Sequence, residues 1–366
     1  MRGATWYNKE ITMRLKVYLI TILISVVAGT SWYLMGEGGD FEERQTGTIL
    51  DGFTDNDKSR IKSAESGLIL LSQRKAISAT DSPEKGVLFY EKETGKVFQV
   101  DIANKTESVV SSKVLENFLS TVWAPNKRDV ISLFYSPNGN RLSYYDYDAK
   151  KAWAYDQSIK SAVFSPDGNS VAYFKTGSEE DGGLNKIFIA QPNGSYTKKI
   201  LDTRLTDIEM FWPLDSQLSF KTKSSVFMLS KDGALSKFFD AYSETLNVMW
   251  SQSGKKVLLS YINPNNGITE LWFKNTDFGG EGLLTTGISA SDCAWSIDEV
   301  NIFCAANKFP GSLETEIRLI STDNGSVKTM GVSAVGSKNL FLSSLEDFLV
   351  FTSPLDERLY ALKISN

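Results

Sequence analysis

The sequence predicts an all-β fold, a β-propeller of about seven four-stranded blades preceded by one transmembrane helix. Two observations predict it: turn motifs that recur every 38 to 48 residues, and an uncharged apolar run near the N-terminus. The chain then divides into a cytoplasmic tail (1–16), a transmembrane helix (17–36), an acidic stalk (37–65) and the propeller (66–366).

The apolar run, 17–36, contains no charged side chain. As a helix, about 20 residues span roughly 30 Å, the hydrocarbon thickness of a bilayer. Basic residues precede the run and acidic residues follow it. The positive-inside rule therefore places the N-terminus in the cytoplasm and the propeller outside it, in the periplasm or at the cell surface. A cleaved signal peptide is the alternative, which the lack of a clean small-residue cleavage site disfavours.

The stalk, 37–65, is rich in Gly, Asp, Glu and Thr and poor in apolar residues. A segment of this composition cannot bury enough surface to order itself. We therefore expect a flexible tether between the membrane and the propeller.

The clearest copy of the repeat is the run 164–168, Phe-Ser-Pro-Asp-Gly, followed by the apolar strand 170–174. The aromatic residue ends one strand, Pro fixes φ, Asp accepts backbone N–H bonds, and Gly168 is expected at positive φ. The next strand returns as a hairpin. Four tryptophans recur at the strand end that precedes this turn, and we expect them to pack between blades: Trp123, Trp212, Trp250 and Trp295.

The segment from Phe164 to Tyr173 resembles the repeat of WD40-like propellers of the TolB type, which is also found in the propeller domains of prolyl-oligopeptidase-like enzymes. As a tandem array, the resemblance covers about four-fifths of the chain. It implies a propeller fold and mostly protein–protein roles, and it carries over no catalytic residue.

The two ends of the propeller predict how its ring closes. The apolar segment from Gly67 to Ser72 has no hairpin of its own, and the last blade, which ends with strands 347–352 and 358–364, is short of one strand. An open sheet edge would leave unpaired backbone groups. We therefore predict that the segment from Gly67 pairs with 358–364 as the outer strand of the last blade.

Composition limits the chemistry. The chain has no histidine, 39 basic and 44 acidic residues, and a net charge of −5. The missing histidine excludes Ser-His-Asp and Cys-His mechanisms and His-ligated zinc, and the acidic balance disfavours nucleic acid. Nucleophile elbows, P-loops and dinucleotide fingerprints are also absent. The sequence therefore predicts no cofactor, no metal and no enzymatic activity.

A cluster of aromatic residues outside the repeat pattern is a candidate partner surface, because Tyr and Trp are enriched in binding hot spots. Its members are Tyr144, Tyr145, Tyr147, Trp153 and Tyr155. The alternative is that these aromatics alternate along strands and pack inside the fold.

The two cysteines, Cys293 and Cys304, face each other directly if Asp298 and Glu299 form a two-residue turn. They are then either a disulfide, formed on the oxidising side of the membrane, or two small buried thiols.

These observations together favour a membrane-anchored extracytoplasmic propeller that acts as an interaction scaffold for a protein partner, with the membrane itself contacted through 17–36. Two alternatives remain: a receptor for a small molecule, glycan or peptide, and a carboxylate- or metal-dependent hydrolase.

Overall fold

The structure is a computed structural model that describes residues 67–82, 86–179, 182–277, 279–309, 311–312 and 314–364. The chain divides into two units, Met1–Lys58 and Ser59–Asn366, and every described residue belongs to the second. The predicted tail, transmembrane helix and stalk lie outside the described residues. Within the described part, no helix is long and apolar enough to cross a membrane.

The described residues form 27 strands. The first eight are β1 (Leu68–Asp81), β2 (Val87–Glu91), β3 (Val97–Asp101), β4 (Thr106–Ser111), β5 (Phe118–Trp123), β6 (Val130–Phe134), β7 (Arg141–Asp146) and β8 (Lys151–Ala154). The next eight are β9 (Ile159–Phe164), β10 (Val171–Lys175), β11 (Asn185–Ala190), β12 (Lys198–Thr203), β13 (Glu209–Leu214), β14 (Gln217–Lys221), β15 (Ser225–Ser230) and β16 (Leu235–Asp240).

The remaining strands follow in the same way. They are β17 (Asn247–Trp250), β18 (Lys256–Ile262), β19 (Thr269–Asn275), β20 (Glu281–Thr286), β21 (Cys293–Trp295), β22 (Asn301–Asn307), β23 (Thr315–Ser321), β24 (Val327–Ser333), β25 (Lys338–Leu342), β26 (Phe348–Thr352) and β27 (Arg358–Lys363). A short 3₁₀ helix, Ala290–Asp292, lies between β20 and β21.

The strands are grouped in consecutive fours. Five sheets contain four strands each, β5–β8, β9–β12, β13–β16, β17–β20 and β21–β24, and each strand pairs antiparallel with its neighbour in the chain. A sixth sheet has seven strands in the order β25-β26-β27-β1-β2-β3-β4. This regular series confirms the all-β prediction and fits a β-propeller.

Strand β1 joins the two ends of the domain. Its first residues pair with β27, with Leu68 opposite Leu362, and its later residues pair with β2, with Ala76 opposite Glu91. The register with β27 shifts between Leu70 and Lys75, where the strand passes from one partner to the other. The prediction that the segment from Gly67 supplies a strand beside 358–364 is confirmed.

The turn between β9 and β10 has the predicted conformation. Gly168 has a φ of 75° and donates its N–H to the carbonyl oxygen of Ser165 at 2.9 Å. The carboxylate of Asp167 accepts from the Ser165 hydroxyl at 2.5 Å and from the Asn169 N–H at 3.1 Å. These bonds hold the pKa of Asp167 below its usual range, with the Ser165 hydroxyl as the largest cause.

The core lies between neighbouring sheets. In one cluster, Phe174 of β10 packs with Met210 and Trp212 of β13 and Phe220 of β14, all at most 6% exposed. Large apolar side chains buried in this way stabilise the fold by about 1.5–3 kcal/mol each. Trp212 thus packs in the core, as the tryptophan series predicts.

Candidate functional site

A cleft of about 820 Å³ lies where β1 passes between its two partner strands. Its walls come from 71–75 of β1, from Glu91 and Glu93 at the β2–β3 turn, from Glu107 of β4, and from Asp356 and Arg358 at the β26–β27 turn. We call this cavity the closure cleft. Backbone bonds fix the turns around it: the Ala76 N–H donates to the Glu357 carbonyl at 2.8 Å, and the Lys92 N–H donates to the Lys75 carbonyl at 2.9 Å.

Arg74 lies at the centre of the closure cleft. Its Nη1 is 2.6 Å from Oε1 of Glu91, and its Nε is 2.7 Å from Oε1 of Glu107. The guanidinium carbon is 4.1 Å from the ring centroid of Phe98, a cation–π distance. Hydrogen bonds to Glu107 and then to Glu91 raise the pKa of Arg74, so the side chain stays cationic.

The two carboxylates that share Arg74 are held by further donors. Glu91 accepts from the hydroxyl of Thr94, and this bond, followed by Arg74, lowers the pKa of Glu91 against the opposing effect of burial. Glu107 accepts from the Ser72 hydroxyl at 2.7 Å. Glu91 is therefore ionised at neutral pH, and both carboxylates are fixed in place.

A second group of charges lies at the rim of the cleft. Lys92 forms an ion pair with Glu357. The Nζ of Lys75 lies 3.4 Å from Glu93 and 3.9 Å from Glu357. All four side chains are between 39% and 67% exposed, so solvent screens these pairs and each contributes little to stability.

Asp356 lines the other wall and is oriented by a buried phenol. The hydroxyl of Tyr360 donates to Oδ2 of Asp356 at 2.8 Å. Burial, followed by this bond to Asp356, raises the pKa of Tyr360, so the phenol stays protonated as a donor. Arg358 lies 3.9 Å from the same carboxylate.

The predicted aromatic surface is wrong for Tyr144 and Tyr155, which are 6% and 8% exposed and belong to the core. Tyr144 stacks on Trp153 with ring centroids 5.6 Å apart, and the Tyr155 hydroxyl donates to the Pro192 carbonyl at 2.6 Å. The reason is strand alternation, since Leu142 and Tyr144 share the buried face of β7.

The rest of that cluster is only partly accessible. Tyr147 is 38% exposed, while Tyr145 and Trp153 are half-buried. The Nζ of Lys151 lies 4.9 Å from the ring centroid of Trp153. A partner surface at these three residues stays a prediction.

The cysteines lie opposite each other, as the register argument expects, and of the two alternatives the structure has the disulfide. Cys293 of β21 lies directly opposite Cys304 of β22, both are fully buried, and a disulfide joins them with a Cα–Cα distance of 4.0 Å.

The residues of the closure cleft were not singled out from the sequence. Their positions are far apart along the chain, and only the pairing of β1 with both β2 and β27 brings them together. One available signal was the polar run 73–75, which follows the apolar start of β1, 68–71.

The sequence matches no family model and no curated protein sequence. Solved structures do match. Oligogalacturonate lyase in complex with manganese is 10% identical and has a TM-score of 0.62 over 83% of this chain and 95% of that chain. The lyase from Vibrio parahaemolyticus also has a TM-score of 0.62 at 10% identity, over 82% of this chain and 94% of that chain.

Two further structures are a β-propeller domain and a TolB protein. The propeller domain of Cps50 (Swd1) from Myceliophteria thermophila is 10% identical, with a TM-score of 0.56 over 82% of this chain and 99% of that chain. TolB from Acinetobacter baumannii is 15% identical, with a TM-score of 0.46 over 74% of this chain and 66% of that chain. At these identities the likeness establishes the fold alone, a β-propeller.

The comparisons correct two predictions. An interaction scaffold that is not an enzyme was expected, but the structures with TM-scores of 0.62 are those of an enzyme. The lack of histidine excludes only histidine-dependent mechanisms, so it was not sufficient ground for predicting that the chain is not an enzyme. Carboxylates, tyrosine and arginine can supply acid, base and electrostatic catalysis without histidine.

Proposed function

We propose that this chain is a carboxylate-dependent hydrolase or lyase that acts on an oligosaccharide bound in the closure cleft. The observation that carries the proposal is the likeness to oligogalacturonate lyase, which extends over 83% of this chain and 95% of that chain. It favours the hydrolase interpretation of the sequence over the scaffold interpretation.

The dimensions and lining of the cleft suit such a ligand. Its volume of about 820 Å³ lies in the range of small-molecule sites, roughly 300–1,000 Å³. Carboxylate oxygens accept hydrogen bonds from sugar hydroxyls, and Glu91, Glu107 and Asp356 all line the cavity.

Cleavage of a glycosidic bond commonly needs two carboxyl groups, one that is ionised and one that can deliver a proton. Glu91, whose pKa is lowered, would be the ionised group. As a hydrolase it would activate water or stabilise positive charge on the ring. As a lyase it would take a proton from a ring carbon, the C–H electron pair would form a double bond in the ring, and the glycosidic C–O bond would break. Glu107 would be the second carboxylate, which Arg74 holds beside Glu91, and water would supply the proton to the leaving oxygen.

The lyase structure contains manganese, but the described residues of this chain offer no comparable set of metal ligands. Within the described ranges, no group of three or more His, Cys, Asp or Glu side chains could hold a metal ion, and the full chain has no histidine. The described residues therefore do not fit a metal, and the roles above use none.

An oligosaccharide cleavage assay tests the proposal. New reducing ends would identify a hydrolase, and an unsaturated product would identify a lyase. We expect Glu91→Gln and Glu107→Gln each to lower the rate by about 10² or more. The matched control, Glu244→Gln, alters a carboxylate that is 79% exposed and should retain the wild-type rate. No cleavage of any oligosaccharide, or equal rates in all three variants, would refute the proposed enzymatic activity of the closure cleft.

We also infer the finer architecture and location. Counting β1 once with β25–β27 and once with β2–β4 gives about seven blades of four strands. The uncharged run 17–36 would anchor the chain with the propeller outside the cytoplasm. Protease added to intact spheroplasts should then digest the propeller; digestion only after lysis would refute this topology.

A further inference from the structure

The charges of the closure cleft bear on which oligosaccharide it accepts, given the proposed function. Three lining side chains are cationic: Arg74, Lys75 and Arg358. Four are carboxylates: Glu91, Glu93, Glu107 and Asp356. With three positive against four negative groups, the lining carries a net charge of −1.

Each of the three cations already faces a carboxylate of the lining. Arg74 holds two carboxylates at 2.6 and 2.7 Å. Lys75 lies 3.4 Å from Glu93, and Arg358 lies 3.9 Å from Asp356. A carboxylate ligand that bound one of these cations would lie beside the carboxylate that the cation already faces, and the two negative charges would repel each other.

Glu93 is the carboxylate best placed to accept a new cation. It is 67% exposed, whereas Glu91 and Glu107 are 12% and 27% exposed and are fixed by Arg74. Its nearest cation, Lys75, is shared with Glu357. An ammonium group of a ligand could therefore approach Glu93 from solvent without breaking the central pairs.

We propose that the closure cleft selects an amine-bearing, cationic oligosaccharide and rejects a polyanionic one. This inference rests on the proposed function and narrows it to a hydrolase, since β-elimination by a lyase requires a ring proton that a neighbouring carboxyl group makes acidic. It separates this chain from the lyase whose fold it shares, since that enzyme is named for an acidic sugar oligomer, oligogalacturonate.

Calorimetric titration of the full chain with three oligomers of equal length tests the inference: glucosamine, N-acetylglucosamine and galacturonate. At about pH 6 the glucosamine amines carry protons. We expect the tightest binding for glucosamine and the weakest for galacturonate. Glu93→Gln should weaken glucosamine binding about threefold, as for an exposed ion pair, and leave N-acetylglucosamine binding unchanged.

Two results would overturn the inference. The first is galacturonate binding as tightly as glucosamine, or more tightly. The second is an equal loss of glucosamine affinity in Glu93→Gln and in the remote control Glu244→Gln, because that would show non-specific attraction to an acidic protein. Cleavage of galacturonate that depends on Glu91 would reject the amine-bearing substrate while leaving the proposed function intact.

Discussion

In five of the sheets, the turn after the first strand of a group of four has positive φ at its fourth residue, and this residue lies against the preceding sheet. The five residues are Lys127, Gly168, Gly254, Glu299 and Glu346. Where the residue is charged, its side chain reaches back along the ring. Glu346, for example, accepts from the Ile297 N–H at 2.6 Å and from the Ser296 hydroxyl at 2.9 Å.

Glycine at this position serves a different purpose. A Cβ on Gly254 would lie 1.9 Å from the carbonyl oxygen of Pro213 in the preceding sheet. The absence of a side chain therefore allows the two backbones to approach. Charged residues and glycine thus hold neighbouring sheets together at the same place by a hydrogen bond or by close contact.

Gly254→Ala should destabilise the fold far more than Gly267→Ala. Both glycines have a φ of 70°, but a Cβ on Gly267 would meet nothing within 4 Å. Gly267→Ala should cost about 1 kcal/mol, the cost of left-handed backbone for an L-residue. Gly254→Ala should cost at least about 2 kcal/mol more because backbone must move. Denaturant unfolding of both variants measures this, and equal costs would contradict the contact.

Acid should weaken the Arg74–Glu91 pair. The pKa of Glu91 is lower in the folded chain than in the unfolded chain, so its stabilising effect is present above the unfolded pKa of about 4.3. That effect is lost as the pH falls through the folded pKa. The melting temperature of wild type should exceed that of Glu91→Gln at about pH 6, and the gap should narrow towards about pH 3. A gap that does not change with pH would contradict this assignment.

At the scale of elements, β1 is the strand on which closure depends. It pairs with β27 at one end and with β2 at the other, and Leu71 between them is 5% exposed in the core shared by these strands. The N-terminal part of β1 therefore contributes both ladder bonds and apolar burial to the last blade.

A chain that begins at Ala76 should lose several kcal/mol of unfolding free energy relative to one that begins at Lys58. Since the shorter chain can fail to fold, Leu71→Ala is the milder probe and should cost about 2–4 kcal/mol. Its control is Leu355→Ala, at a side chain that is 51% exposed and should cost less than about 0.5 kcal/mol. Equal melting temperatures for the two chains would show that β1 does not close the ring.

The sequence predicted correctly those parts of the fold that depend on a repeated local motif. The aromatic–Ser–Pro–Asp–Gly turn predicted where the first strand of a group of four ends. The unpaired apolar segment from Gly67 predicted the pairing partner of β27. Sequence reasoning failed for Tyr144 and Tyr155, because a run of aromatic letters does not show which face of a strand is buried. It missed Arg74 because its partners, Glu91 and Glu107, follow it by 17 and 33 residues and meet it only through sheet register.

At the scale of the whole molecule, the candidate site lies where β1 joins the first and last sheets of the domain. Successive turns of an antiparallel sheet alternate between its two ends. The turns that carry Gly168 and Gly254 follow the first strand of a group of four, whereas the β2–β3 and β26–β27 turns follow the second strand. The two kinds of turn therefore lie at opposite ends of the sheets. At one end of the domain, the turns contact the neighbouring sheet. At the other end lies the closure cleft with its carboxylates.

Hydrogen–deuterium exchange with and without an oligosaccharide tests the placement of function in the closure cleft most directly. With saturating glucosamine oligomer, we expect slower exchange at 71–75, 91–96 and 355–358, where the ligand would exclude water and hold the turns. The turns at 165–168 and 251–254 should exchange as in the free chain. Protection confined to those turns, or no protection anywhere with a bound ligand, would contradict the account.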